Sequence, residues 1–221
     1  MTGQRPYEAV VFDLDGVICH TDHYHYLGWK SVADDLGIPF DETVNNRLRG
    51  VSRMESLDII LEKYEGEPLT DDRKNEIAAT KNDRYREMLG QMSPADLDPA
   101  VRVTLDDLRA RGLKLAIGSS SKNAKYILER IGLGGYFDAI SDGTNISRSK
   151  PDPEVFLKAA EFLGIDPARC VVVEDAVAGI EAGQAAGMYT VSIGDAADQG
   201  AGDAKLGTFA DLSKVLTDLG C

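Results

Sequence analysis

The stretch that most constrains this chain is Ala9-Val10-Val11-Phe12 followed at once by Asp13-Leu14-Asp15-Gly16-Val17. A short apolar run rich in β-formers reads as a buried strand. Two carboxylates and a glycine at its end read as the rim of a site, because α/β sheets open into a ligand crevice at the carboxyl ends of their strands. The two-residue spacing puts both carboxylates on one side of an extended segment. One carboxylate suits nucleophilic attack and the other proton transfer. The plainer alternative is a strand running into a polar turn.

After the first strand the chain is helical for a long way. Periodic segments cover about 22–36, 53–64 and 70–89, with no convincing strand among them. Ser93-Pro94 and Asp98-Pro99 then mark a boundary. Beyond it the spacing predicts helices near 99–111, 153–163, 175–187 and 210–219, and one that follows Gly118 and ends at about Ile131. Between them lie strands at Leu113-Lys114-Leu115-Ala116-Ile117-Gly118, Ala139-Ile140, Val171-Val172-Val173 and Tyr189-Thr190-Val191-Ser192-Ile193. Strands alternating with helices imply a doubly wound parallel sheet, an α/β core. The expected division is a core of 1–19 and 93–221 and an inserted α-helical cap of 20–92, placed directly over the carboxylates. Residues 195–202 read as a mobile Gly/Ala/Asp connector.

Bulk properties narrow the partners. A net charge of −13 argues against nucleic acid and against an anionic membrane. Cys19, Cys170 and Cys221 are far apart and odd in number, which fits a reducing cytoplasm and no disulfide framework. Cys19 and Cys170 read as core residues. No apolar stretch is long enough for a transmembrane helix, and no signal-peptide pattern is present.

Each expected strand end carries polar groups. Ser119-Ser120-Ser121-Lys122-Asn123 precedes a helix and offers hydroxyls, backbone N–H groups and a helix N-terminus to an oxyanion, or else an ordinary serine cap. Lys150 lies before Pro151 and a helix start, placed to fix a phosphate oxygen. Glu174-Asp175 is a second carboxylate pair, which a helix macrodipole would also favour. Hard oxygen ligands without a His/Cys cluster suggest one Mg²⁺ ion. A cation and Lys150 would cancel the repulsion between an attacking carboxylate and an anionic phosphate. His20, His23 and His25 lack a fourth ligand nearby and are not taken as a metal site.

On these four elements the chain is identified as resembling the haloacid-dehalogenase superfamily of phosphotransferases. The resemblance covers essentially the whole chain. In the cap, His25, Trp29, Arg49-Gly50-Val51-Ser52-Arg53, Ser56 and Lys81-Asn82 resemble the superfamily's sugar-phosphate mutases, as does Ser93-Pro94-Ala95-Asp96 at the hinge. The resemblance implies that Asp13 forms an aspartyl phosphate and that Asp15 is the general acid/base. It implies Mg²⁺ held by Asp13, the Asp15 carbonyl and Asp175, with Glu174 in or beside the shell. Ser119 and Lys150 would hold the transferring phosphoryl, Arg53 the phosphate that is not reacting. Trp29, Ser52, Ser56 and Lys81 would line the sugar, with Arg49, Gly50 and Val51 beside them and Ser120, Ser121, Lys122 and Asn123 opposite. Thr21 would serve the hinge and His25 a gate for the acid/base. Arg49 stands where the family more often has lysine, and Cys19-His20 replaces a more common Thr-Asp pair.

The implied activity is interconversion of β-glucose 1-phosphate and glucose 6-phosphate by a monomer through a bisphosphate. The alternative is a sugar-phosphate phosphatase, in which water takes the phosphoryl. A non-catalytic anion-binding module would not need a complete nucleophile, acid/base, lysine and metal set. A dehalogenase would give Asp15 no leaving-group oxygen to protonate.

Overall fold

The computed structural model describes residues 7–48 and 51–221. Strand β1 (Ala9–Phe12) is followed by helices α1 (Asp22–Asp35), α2 (Glu42–Asn46), α3 (Arg53–Leu61) and α4 (Asp71–Leu89) before any second strand. The chain then alternates through α5 (Pro99–Ala110), β2 (Lys114–Gly118), α6 (Ala124–Arg130), β3 (Ala139–Ser141), α7 (Glu154–Leu163), β4 (Cys170–Glu174) and α8 (Val177–Ala185). It closes with β5 (Tyr189–Ser192), α9 (Gly194–Asp198), β6 (Ala204–Lys205) and α10 (Leu212–Asp218).

The strands form one sheet in the order β3-β2-β1-β4-β5-β6, and every pairing is parallel. The expected doubly wound α/β core is therefore present. β1 lies inside the sheet, with Ala9 opposite both Lys114 and Cys170. A strand covered on both faces must be apolar throughout, and all its residues are buried. Val10 and Phe12 face one side, against Leu105, Leu108 and Leu212. Ala9 and Val11 face the other, against Val155, Phe156 and Ala159. Cys19 and Cys170 are buried, as expected of core thiols.

A separate apolar cluster joins Trp29, Val32, Phe40, Val44, Leu57, Ile60 and Ile77 from α1 to α4. These helices thus have a core of their own. Farther along α4, Tyr85 and Leu89, with Met92 just beyond, join the cluster against the sheet instead. One continuous helix therefore runs from the inserted core into the sheet's core.

Residues 195–202 differ from the expected connector. Helix α9 covers Gly194–Asp198, and β6 follows to extend the sheet. The cause is tertiary pairing: the Ala196 N–H donates to the Asp175 carbonyl at 2.8 Å, and Asp203 accepts from the Thr190 N–H and hydroxyl at 2.8 Å each. Composition carries no periodic signal for it. Helix α2 is also not expected from the sequence; Asp41 caps it by accepting from the Val44 N–H at 2.9 Å.

Candidate active site

The carboxyl ends of β1, β2 and β4 converge under the inserted helices on a cavity of about 330 Å³, within the size range of small-molecule sites. Asp13 and Asp15 from the β1 end, Ser119 to Asn123 from the β2 end, and Glu174 and Asp175 from the β4 end line its floor with Lys150. His25 and Trp29 from α1, Val51 before α3, Ser52, Arg53 and Ser56 at the start of α3, and Lys81 from α4 line its roof. Thr21 lies just behind Asp15. Arg49 and Gly50 lie outside the described residues.

The sharp turn after β1 depends on Gly16. Its φ is +88°, and a Cβ there would lie 2.1 Å from an Asp175 carboxylate oxygen. The loop can therefore bring β1's carboxylates beside those of β4 only with glycine at this point.

At the centre, Lys150 donates to Asp13 at 2.5 Å and to Glu174 at 2.7 Å, all three being buried. Burial alone would push the ammonium down, but the two carboxylates hold it above its ordinary value. Burial pushes the Asp13 carboxyl up to about 7, against the pull of Lys150 and with Glu174 and Asp15 adding to it. The other Glu174 oxygen accepts from the Ala176 N–H at 2.7 Å. Gly179 makes room for this carboxylate: a Cβ there would be 1.8 Å from Oε1. Glu174 therefore already has a donor on each oxygen and is fixed in place under Lys150.

Asp13, Glu174 and Asp175 each present a carboxylate oxygen within 4.8 Å of the others. This all-oxygen donor set fits a hard divalent cation. His25 is engaged elsewhere: its Nδ1 lies 3.1 Å from Lys81 Nζ and its ring stacks on Tyr85 at 4.3 Å. His20 and His23 are exposed.

The Asp15 carboxylate accepts from the Thr21 hydroxyl. Burial pushes Asp15 up to about 6; the Thr21 bond works against this and Asp22 with it. Lys81 is enclosed by aromatic faces, 4.9 Å from the Trp29 ring and 4.4 Å from that of Tyr85. Burial, helped by Arg53, lowers it to about 7, and burial with Lys81 and Arg53 drives His25 well below its ordinary value. A lone pair on His25 Nδ1 can accept a hydrogen bond from Lys81 at this distance.

The N-cap of α6 is Asn123, which makes no side-chain cap bond, so the serines do not cap that helix. Ser119 Oγ accepts from the Ser121 N–H at 3.1 Å and Ser121 Oγ from the Asn123 N–H at 3.2 Å, so the hydroxyls order the turn before α6. Ser120 Oγ is buried beside the cavity without a hydrogen-bond partner among the described residues. Ser52 likewise closes a reciprocal cap with Glu55, at 3.3 and 2.9 Å, which fixes the first turn of α3 and therefore Arg53.

Several residues of the wall, Tyr85, Asn45, Leu48 and Ile146 among them, lie outside the motifs. Tyr85 lies one helical turn after Lys81, and that spacing on α4 is the signal that places it on the same face. Asn82 accepts from Arg53 at 2.8 Å and from Asn123 Nδ2 at 2.9 Å, joining roof to floor. In the sequence it carries only its resemblance to the cap motif.

A family model described as haloacid dehalogenase-like hydrolase matches residues 7–187. The chain is 43% identical over 193 residues to a β-phosphoglucomutase of Bacillus subtilis, covering 85% of this chain and 83% of that protein. It is 32% identical over 186 residues to a phosphorylated carbohydrates phosphatase of Thermotoga maritima, covering 83% of each. A crystal structure of β-phosphoglucomutase from Clostridium difficile superposes with a TM-score of 0.91 at 34% identity, covering 97% of both chains.

Proposed function

Because the chain belongs to the haloacid dehalogenase-like hydrolase family, we propose that it is a phosphotransferase of the β-phosphoglucomutase kind, interconverting β-glucose 1-phosphate and glucose 6-phosphate. The observation that carries this reading is a cavity with two cationic ends. Lys150 stands beside Asp13 on the floor, while Arg53 stands in the roof. A sugar with a phosphate at each end would satisfy both.

In this reading an Asp13 carboxylate oxygen bonds to phosphorus as the bond from phosphorus to the sugar oxygen breaks, giving an aspartyl phosphate. Asp15 supplies the proton to the departing oxygen, and takes one from the attacking hydroxyl in the reverse sense. Lys150, Ser119 and the buried Ser120 hydroxyl hold the oxygens of the phosphoryl in flight. Arg53, with Lys122 and Asn123, holds the phosphate that is not reacting. Trp29, Val51, Ser52, Ser56 and Lys81 surround the sugar. Mg²⁺, held by Asp13, the Asp15 carbonyl and Asp175 with Glu174 alongside, would neutralise charge at the phosphoryl when bound. Thr21, at the hinge, donates to Asp15, Lys81 adds positive charge near it, and His25 stands beside Lys81 as the gate. Residues 20–92 would move as a lid that excludes water from the phosphoenzyme. The bisphosphate must turn over between the two half-reactions so that each end visits Asp13.

One chain supplies every residue this scheme needs, so a monomer suffices. The scheme calls for no nucleic acid or membrane, and no described helix is long and apolar enough to cross a membrane. The free thiols suit a cytoplasmic setting.

The rival is a sugar-phosphate phosphatase, favoured by the similarity to the Thermotoga protein. Phosphorus NMR of the purified protein with β-glucose 1-phosphate, Mg²⁺ and a trace of glucose 1,6-bisphosphate separates the two. A growing glucose 6-phosphate signal is expected. Inorganic phosphate appearing as fast as the isomer would establish the phosphatase instead.

A further inference from the structure

Arg86 lies outside the cavity wall, on α4 one residue past Tyr85. Its guanidinium stacks 4.4 Å over the Tyr126 ring, and its Nη1 donates to Asn123 Oδ1 at 3.0 Å. Asn123 is 5% exposed and does line the cavity. Its Nδ2 donates to Asn82 Oδ1, which also accepts from Arg53. The chain of bonds therefore begins and ends on a guanidinium.

That arrangement has a chemical consequence. A carboxamide can turn over and exchange its donor and acceptor ends, but a guanidinium can only donate. Arg86 at one end fixes Asn123 Oδ1 as an acceptor, so the Asn123 NH₂ turns to Asn82 Oδ1 with one N–H and keeps the second for another acceptor. Arg53 at the other end forces Asn82 Oδ1 toward both donors. A phosphate dianion only accepts hydrogen bonds. The orientation that Arg86 imposes presents it with an N–H, while the turned amide would present a carbonyl oxygen and repel it.

We propose that Arg86 is a positioning residue for binding the phosphate that is not reacting, acting through Asn123 on the cavity floor by fixing its amide as a donor. Arg86 touches neither the phosphate nor the sugar. The stack on Tyr126 holds the guanidinium in register with Asn123. Its place on α4, beside Tyr85 and Leu89 in the sheet-side cluster, ties it to the floor, so Asn123 is oriented before a substrate arrives. The inference rests on the two-phosphate reading of the cavity, in which Asn123 faces the phosphate that is not reacting.

A double-mutant cycle with Arg86→Met and Asn123→Ala tests it. Methionine keeps an apolar stem on Tyr126 and removes the donors. The Mg²⁺-loaded proteins are compared for glucose 6-phosphate affinity by calorimetry, for KM and kcat of isomer formation, and for phosphoenzyme hydrolysis. Arg86→Met should weaken glucose 6-phosphate binding and raise KM by about tenfold, the factor that one hydrogen bond to a charged group supplies. Hydrolysis of the phosphoenzyme should stay unchanged. In the Asn123→Ala background the same substitution should cost less than about twofold, because its target is gone. Equal losses in both backgrounds, or a parallel fall in hydrolysis, would overturn the proposal. A wild type that binds glucose 6-phosphate but never forms isomer would refute the mutase reading while leaving the affinity cycle to decide on Arg86. A wild type that binds no sugar phosphate would refute both.

Discussion

Replacing Lys150 with methionine should separate the lysine's structural part from its chemical one. Lys150 is 3% exposed and bridges two buried carboxylates at 2.5 and 2.7 Å. Methionine retains an apolar stem against Phe156, whose ring lies 4.8 Å from the ammonium, so the cavity left behind is small. The loss is then mostly that of an uncompensated buried charge, about 3–5 kcal/mol. That is a large part of the ~5–15 kcal/mol that a domain has to spare. The cost must depend on pH. Asp13 has a folded-state pKa raised from 3.8 to about 7, so its ionisation opposes folding increasingly as pH climbs between those values. Without Lys150 that pKa rises further and the opposition at neutral pH grows. Below the unfolded value Asp13 is neutral in both states, and the lysine has no Asp13 charge to offset. Lys150 itself, raised above its ordinary value, gives its full contribution at neutral pH and loses it only as pH climbs past its folded pKa. Because Asp13 already titrates at about 7, a further rise adds at most about 1 kcal/mol at pH 7.5. Urea unfolding with a chelator present should therefore show a deficit of about 4 kcal/mol at pH 7.5 that is about 1 kcal/mol smaller at pH 4. A deficit that is the same at both values would refute the electrostatic reasoning, and one below about 1 kcal/mol would refute the claim that the bridge is needed at all.

Asp13→Asn should abolish turnover, since an amide is not a nucleophile; activity within about tenfold of the parent, ~1.4 kcal/mol of barrier, would exclude Asp13 from that role. With Asp15 raised to about 6 by burial, kcat/KM for the half-reaction that takes a proton from the sugar should climb through about pH 6 as the base ionises. Asp15→Asn should lose 10²–10⁴-fold and that limb while isothermal titration still shows Mg²⁺ binding; lost Mg²⁺ affinity with an intact chemical step would reverse the assignment. Arg53→Ala should cut isomer formation far more than phosphate release, and equal losses measured side by side would remove the support for a second phosphate site. Gly179→Ala should push Glu174 off Lys150, because the added methyl would overlap its carboxylate; unchanged activity and melting temperature would show that the carboxylate moves aside freely.

Much of the fold and of the site is legible in the amino-acid order alone. The β1 carboxylates, the serine turn and the Glu174-Asp175 pair stand at strand ends, and Lys150 before α7, because short continuous apolar runs and their glycine or proline boundaries are local signals. The long cap helices are legible for the same reason. What stays hidden depends on partners distant in sequence. Residues 195–202 hold no periodicity, and α9 and β6 exist because Asp175 and Thr190 hold them. Asn82 and Arg86 acquire their meaning only from Asn123, on another element. Tyr85 is within reach of helical spacing from Lys81, but a tyrosine on an apolar stripe is ordinarily core, and it is core as well as wall.

The place of β1 inside the sheet also decides when the molecule can become active. Its backbone partners are β2 and β4, with Ala9 paired to Lys114 and Cys170. During synthesis the nucleophile strand is made first, yet it has nothing to pair with until the whole lid has been translated, and its second neighbour comes later still. The α1–α4 cluster, built from near neighbours, has the low contact order of fast folding, while the central ladder has the high contact order of slow folding. A nascent chain therefore carries an exposed Val-Val-Phe strand ahead of a lid able to collapse early, which is its window for misassociation. Asp13 meets Glu174 and Asp175 only when β4 docks, so catalytic competence is among the last properties the folding chain acquires.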